Sequence, residues 1–364
     1  MQLGLFDENE RLERLSELGD PLTRLNQVMN WELFRPVLQK AFQKERKGPR
    51  GRPPYDYVMM FKVLVLQKLY KLSDEQTEYQ INDRMSFMRF LGFGLESRVP
   101  DAKTIWLYRE TLTKAKAMDK LFSLFNAQLD EAKLITHTGS IVDATFVDAP
   151  RQRNTREENE KIKAGEVPEE WQKPEHIHKL RHKDTDARWA KKNNETHFGF
   201  KDHVKVDADS KLIVDYSVTS ANVHDSQALS GLLNDKDKVL YADSAYSGKE
   251  LLESLPDHVE RKVHEKGTRN HPLTDEQKES NRLKSKIRVR VEHVFGFMTN
   301  SMGGIDLRCI GRTRAEFDIG MRNLVYNICR YEFLKRPKPC GQFIAPFFGL
   351  PRVLFCFKLL PPIF

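Results

Sequence analysis

Three acidic residues stand where carboxylates can do chemistry: Asp143 in S-I-V-D-A-T-F-V, Asp243 in V-L-Y-A-D-S-A-Y-S-G and Glu292 in R-V-R-V-E-H-V-F-G-F. The first two runs are short and β-branched, as in strands, whereas the third spaces its apolar residues as a helix does. Carboxylates so distant in sequence meet only if a sheet and a helix bring them together. If they meet, they offer hard oxygen ligands of the kind that hold Mg²⁺, with Mn²⁺ as a substitute. Two such cations roughly 3.5–4 Å apart serve phosphodiester displacement by activating the attacking oxygen and stabilising the leaving one. No nucleophilic Ser, Cys or Tyr is then required, and Asp143, Asp243 and Glu292 are read as both catalytic residues and metal ligands.

The elements around them must do the positioning. Asp143 shares a strand face with Ile141, Thr145 and Val147, where an unpaired charge is costly unless that face reaches a site. Asp148 is the neighbouring alternative, but its odd spacing puts it on the opposite face if the strand persists. Asp243 closes a strand just before Ser247-x-x-Glu250, and an N-capping or turn aspartate is an equally weighted reading of it. On a helix, Ile287, Val291, Val294, Phe295 and Met298 form one apolar stripe with Arg288, Glu292 and Thr299 along its flank. An ordinary surface pair of Glu292 with Arg288 at i−4 stays open. Arg282, Lys284, Lys286, Arg288 and Arg290 make this stretch dense in positive charge, which suits phosphate, and Arg288 and Arg290 are expected to contact DNA.

The segments V-D-A-T, A-N-V-H-D-S at 221–226, Y-A-D-S-A-Y-S-G and R-V-E-H-V-F-G-F-M follow in order. With them the chain resembles the bacterial insertion-sequence DDE transposases, specifically the family-five group within the wider family-four-like set, from about Gly51 to about Leu334. The family pattern Y-x2-R-x3-E-x6-K falls on Ser285, Arg288, Glu292 and Thr299, so Arg and Glu agree and Tyr and Lys do not. His224-Asp225 is similar to the family's H-D after the third strand and is read as structural.

The resemblance implies an α/β, ribonuclease H-like mixed sheet with helices, preceded by an all-α N-terminal domain. It implies a transposase that cuts at element ends with Mg²⁺ and transfers the freed 3′-hydroxyl into target DNA. Asp143 and Asp243 would bridge the two ions, Glu292 would complete the second metal site, and Arg288 would steady a phosphate. Its partners would be double-stranded DNA, both terminal inverted repeats and target, bound by at least a homodimer. Two rivals remain, a nuclease of the same fold without strand transfer and an inactive DNA-binding regulator.

Bulk properties agree with such a partner without requiring it. In 364 residues, 39% hydrophobic, 60 Lys+Arg against 52 Asp+Glu give a net charge of +8, a balance that favours polyanions. Cys309, Cys329, Cys340 and Cys356 form no C-x-x-C pair, so neither a zinc site nor a disulfide framework is expected. The amino terminus turns acidic at once and shows no secretory signal. Near the carboxyl end, four prolines, Arg352 and Lys358 interrupt the apolar tail, so no membrane span is expected. A bacterial cytoplasmic, nucleoid-associated protein is the expectation.

Along the chain, residues 1–135 read as a helical DNA-end-binding domain, 136–335 as the catalytic domain and 336–364 as a peripheral tail. Helix starts are expected at Asp20-Pro21, at the capping-box pattern Ser73 to Gln76 and at Asp101, with a buried helix over Tyr55 to Tyr70 and another helix over Ala115 to Lys133. A helix-turn-helix between Ser73 and Arg109 would read terminal repeats. Arg46, Lys47, Arg50 and Arg52 lie with Lys44 on a Pro/Gly-punctuated linker suited to a phosphate backbone or to a solvated hinge. Strands are expected at Ile141 to Val147, Phe198 to Val206, Leu212 to Val218, Val239 to Asp243 and Val259 to Val263, with helix-like Ser226 to Leu233 and Gly248 to Leu255 between. A basic insertion at about 150–197, carrying Trp171 and Trp189, is either a solvated loop or a surface that stacks on an unpaired base.

Overall fold

The computed structural model describes residues 7–43, 54–192, 194–248, 255–268 and 271–336. The linker cations Arg46, Lys47, Arg50 and Arg52, most of the expected helix at 248–255 and the apolar tail fall outside them. Helices come first: α1 (Asp7–Glu17), α2 (Pro21–Val28), α3 (Arg35–Phe42), α4 (Tyr57–Leu69), α5 (Asp74–Asp83), α6 (Met85–Leu91), α7 (Ala102–Lys114) and α8 (Met118–Glu131).

Their starts are chemical. The Asp20 carboxylate accepts the Leu22 N–H at 3.0 Å, Asp56 accepts that of Met59 at 2.9 Å, and Asp101 accepts that of Thr104 at 2.6 Å. Ser73 and Gln76 form a reciprocal capping box at α5. Each cap satisfies an orphan donor of a first turn, typically stabilising by about 1 kcal/mol. Helix α4 is the hub, with Val58, Met60, Phe61, Val63, Leu64, Val65 and Leu66 all buried. Phe61 packs on Phe34, with ring centroids 4.8 Å apart.

After β1 (Ser140–Asp148) comes the insertion, and it is not a loop: it contains α9 (Arg156–Lys163), α10 (Glu169–Gln172), α11 (Ile177–Arg181) and β2 (Arg188–Lys192). Thr155 and Glu158 make a capping box at α9. The Glu158 carboxylate also accepts Trp171 Nε1 at 2.8 Å and Lys179 Nζ at 2.7 Å, and the Trp171 ring is completely buried. One carboxylate thus organises a small satellite of helices that periodicity alone does not reveal.

The chain continues through β3 (Glu195–Asp207), β4 (Ile213–Ser220), a 3₁₀ turn at Asp225–Ala228, α12 (Leu229–Leu232), β5 (Val239–Ala242) and β6 (Glu260–Val263). In the sheet, β3 is antiparallel to both β1 and β4, β5 runs parallel to β1, and β6 runs parallel to β5. The resulting order β4-β3-β1-β5-β6, three antiparallel strands followed by two parallel ones, is that of a ribonuclease H-like fold. Strand β2 pairs only with the first part of β3, extending the sheet as a hairpin.

Two long helices close the molecule, α13 (Asp275–Asn300) and α14 (Arg312–Leu334). Helix α14 runs between the sheet and the first helices, so that Phe34, Leu64, Phe125, Val204, Ile213 and Leu324 belong to one continuous core. A Cβ at Gly320 would collide with Tyr216 Oη of β4 and lie 2.6 Å from Met118 Cγ of α8. The closeness of that helix demands glycine there. Polar residues inside α14 are satisfied by the sheet: Asn327 accepts the Ile213 N–H at 2.9 Å and donates to the Ile213 carbonyl at 2.7 Å. Among the described residues, no helix is long and apolar enough to cross a membrane.

Candidate active site

Parallel pairing sets β5 against β1 with Val142 opposite Ala242, so Asp143 and Asp243 are each the next residue along, at the same step and on the same face. Asp243 follows the strand end and accepts the Ser244 N–H at 2.6 Å, capping a short 3₁₀ turn. Its capping role and its place beside Asp143 are therefore compatible.

Asp143 Oδ1 accepts the N–H of Ala144 at 2.9 Å. Burial pushes its carboxyl above the ordinary carboxylate range; that hydrogen bond and the charges of Arg288 and Lys192 oppose the shift, while Asp243 adds to it. A carboxylate buried beside another is stabilised by positive charge next to it.

Helix α13 delivers the rest. Arg288 Nη1 donates to Asp143 Oδ2 at 2.9 Å, and Nη2 donates to Glu292 Oε1 at 3.3 Å. The guanidinium therefore ties the helix to the central strand and links Glu292 to Asp143 through one group. Its Nε is buried with no partner among the described residues. Glu292 remains the most open of the three, with 57% of its side chain exposed.

His264, just past β6, was not singled out from the sequence. Its Nδ1 lies 3.8 Å from Asp243 Oδ1 and its Nε2 3.2 Å from Ser285 Oγ. Burial and the Arg288 charge hold its imidazole below the ordinary histidine pKa, which favours the neutral ring. Tyr246 was also missed: it is buried, its hydroxyl has no partner among the described residues, and Asp225, Asp143 and Asp243 add to the burial that keeps it protonated. Tyr246 lies within the segment Y-A-D-S-A-Y-S-G, whereas the sequence sign of His264 was its place just past a strand end.

The oxygen donors suit a hard divalent cation. As the side chains stand, however, no group of three His, Cys, Asp or Glu among the described residues is close enough to hold one. Arg288 engages both Asp143 Oδ2 and Glu292 Oε1. Asp143 and Asp243 stand side by side on adjoining strands, and Glu292 is held to Arg288 on the facing helix.

Other expected positions lie elsewhere. Arg290 contacts Asp209 Oδ1 at 3.1 Å and the Ala208 carbonyl, bracing the turn between β3 and β4. Asp148, at the end of β1, is 3.2 Å from His197 Nδ1. Asp225 accepts Lys201 Nζ at 2.7 Å, and His224 Nδ1 lies 2.8 Å from Ser226 Oγ.

A ribonuclease H-like sheet with paired aspartates at the adjoining strands and a helix carrying Arg and Glu across them defines the class. The sequence profile described as Transposase DDE domain matches residues 135–328, more than half of the chain, and that described as Transposase domain (DUF772) matches residues 10–111. The chain belongs to the DDE transposase family. Among solved structures it is similar to the cryo-EM structure of the piggyBac transposase synaptic complex with hairpin DNA. That match has 12% identity over 83% of this chain and 74% of that one, with a TM-score of 0.42.

Proposed function

We propose that this transposase is the enzyme of a bacterial insertion sequence, cutting at the element's ends and joining the freed 3′-hydroxyl to target DNA. The observation that carries the reading is the gathering of Asp143, Asp243, Arg288 and Glu292 where β1, β5 and α13 adjoin. Asp143, Asp243 and Glu292 would hold Mg²⁺ or Mn²⁺, which when bound supplies activation of the attacking oxygen and stabilisation of the leaving one.

The remaining work belongs to the chain's own groups. Arg288 exchanges its carboxylates for a phosphodiester oxygen, a planar fork suited to either. His264, 3.2 Å from Ser285 Oγ, ties the segment after β6 to α13 beside Asp243. Helices α1–α8 grip the element ends, Arg290 and the linker cations Arg46, Lys47, Arg50 and Arg52 add contacts to the DNA backbone, and at least two copies bring two ends together.

The test uses the full chain, Mg²⁺ and labelled DNA carrying the inverted repeats that flank its gene. Joined products between donor and target are expected. Cleavage without joining would make the protein a nuclease, and binding without cleavage would make it a regulator.

A further inference from the structure

Where the first helices meet α14 and the segment at 302–310 there is a cavity of about 440 Å³, a size that suits a small organic ligand. Ion pairs stitch across it. Lys68 of α4 bonds Asp318 of α14, and Lys71 bonds Asp306. Glu110 of α7 takes the Arg314 guanidinium on both oxygens, at 2.7 and 2.9 Å. Within the helical side, Asp74 takes that of Arg109 in the same way, at 2.6 and 2.7 Å.

These pairs do not balance. Seven Lys and Arg side chains line the cavity against five Asp and Glu. Asp318 is shared: besides Lys68 it meets Arg322 Nη2 at 3.5 Å, so one largely buried carboxylate serves two largely buried cations. Burial draws the Lys68 pKa down, Asp318 opposes this, and the Arg322 charge adds to it, as expected where positive charge is undercompensated. Arg322 is 7% exposed, and its Nη1 has no partner among the described residues. Arg181, from the insertion, and Arg308 line the same cavity, are exposed, and have no ion pair or side-chain hydrogen bond among the described residues. Only Glu75 is left over on the acidic side. The excess is two positive charges gathered in a recess, where solvent screens them less than on an open face.

We propose that this cavity binds one phosphate monoester of nucleotide size, its phosphate held by Arg308, Arg181 and Arg322 and its base or sugar lying against Trp106. Guanidinium forks match phosphate oxygens two at a time, and a phosphate monoester carries close to two negative charges at neutral pH. Trp106 lines the cavity and is 45% exposed, which leaves its ring free for a flat partner. The carboxylates argue against a DNA backbone: a long polyanion laid across the cavity would set further phosphates against Glu75, Glu110 and Asp306, whereas a single dianion cancels the excess. None of Asp143, Asp243, Arg288 and Glu292 lines it, so the proposal stands independently of the strand-transfer reading. A ligand here would brace α5 and α7 against α14.

The experiment measures binding of adenosine 5′-monophosphate and of inorganic phosphate to the full chain by calorimetry, at an ionic strength held constant with sodium chloride, together with thermal melting. The nucleotide should bind with a dissociation constant below about 1 mM. At about a hundredfold saturation it should raise the melting temperature by about 3 °C over the chloride control. Arg308→Ala and Arg181→Ala, at exposed positions, should each weaken both ligands about tenfold. Trp106→Ala should weaken the nucleotide about tenfold while leaving inorganic phosphate within about twofold. A duplex without terminal phosphates should not displace the nucleotide. Binding of neither ligand, or affinities unchanged in both arginine variants, overturns the site. Equal weakening of both ligands in Trp106→Ala overturns the ring contact, and displacement by the duplex assigns the arginines to a DNA backbone and overturns the monoester.

Discussion

Arg288 Nη1 donates to Asp143 Oδ2 at 2.9 Å, joining residues 145 positions apart in the chain. With side chains only 22% and 21% exposed, the pair is screened poorly by solvent, and each partner stabilises the other against burial. The oxygen it uses is also one that a divalent cation would need.

Arg288→Ala therefore separates two roles. In chelator-treated buffer it should lose about 1–3 kcal/mol of stability, because Asp143 keeps its burial without its partner. At the same time Mn²⁺, followed by its paramagnetic resonance, should bind several-fold more tightly, since its competitor is gone. Weaker Mn²⁺ binding would show instead that the guanidinium serves only to shape the carboxylate pair.

Asp143→Asn, Asp243→Asn and Glu292→Gln should each reduce Mg²⁺-dependent cleavage of end-containing DNA by about 10³-fold or more, as for groups that act as a unit. Circular dichroism and DNA affinity should change little. Retained cleavage in either aspartate variant would place the chemistry elsewhere.

Stability should depend on pH through Asp202, which lies in β3 and accepts Asn323 Nδ2 at 3.2 Å. Burial raises its carboxyl to about 7 from an ordinary 3.8. Between those values the folded chain keeps a proton that the unfolded chain releases. Its contribution is thus full below the ordinary value and is lost as pH rises through about 7. His203 runs the opposite way: burial lowers it to about 4 from 6.5, so its contribution fades as pH falls through that range. Asp202→Asn leaves His203 in place, and its melting temperature should exceed the wild type's by several degrees at pH 8 and by much less at pH 4. An equal offset at both pH values would exclude titration of Asp202 as the cause.

Gly199 bends β3 where the hairpin leaves β1. Its φ is 154°, and an added Cβ would press on the Val147 carbonyl and lie 2.7 Å from the Ala149 nitrogen. Gly199→Ala should cost roughly 2–4 kcal/mol in urea unfolding, because backbone on both strands has to shift. A smaller loss would mean that the hairpin bends without strain.

Much of this arrangement is legible in the amino acids. Asp20, Ser73 and Asp101 announce helices because a cap is a local event, decided within about three residues. The alternation around Asp143 likewise declares a strand, and the i to i+4 spacing of Arg288 and Glu292 declares their contact. What stays hidden depends on partners far away in the chain. The insertion's helices hang on Trp171 meeting Glu158, and nothing local distinguishes that tryptophan from Trp189. Helix α14 carries Asp318, Asn323 and Asn327 through the core, which reads as half-polar until α4, β3 and β4 in turn supply their counterparts. His264 joins the site only because β6 lies next to β5.

The burial of α14 among the first helices has a bearing on how the protein is made. While the ribosome is still adding the segment around Leu324, the hydrophobic flanks of α2, α4 and α8 have no lid, and a nascent chain would expose them for as long as synthesis takes. Until α14 emerges, those flanks are therefore the surface that a chaperone would have to cover.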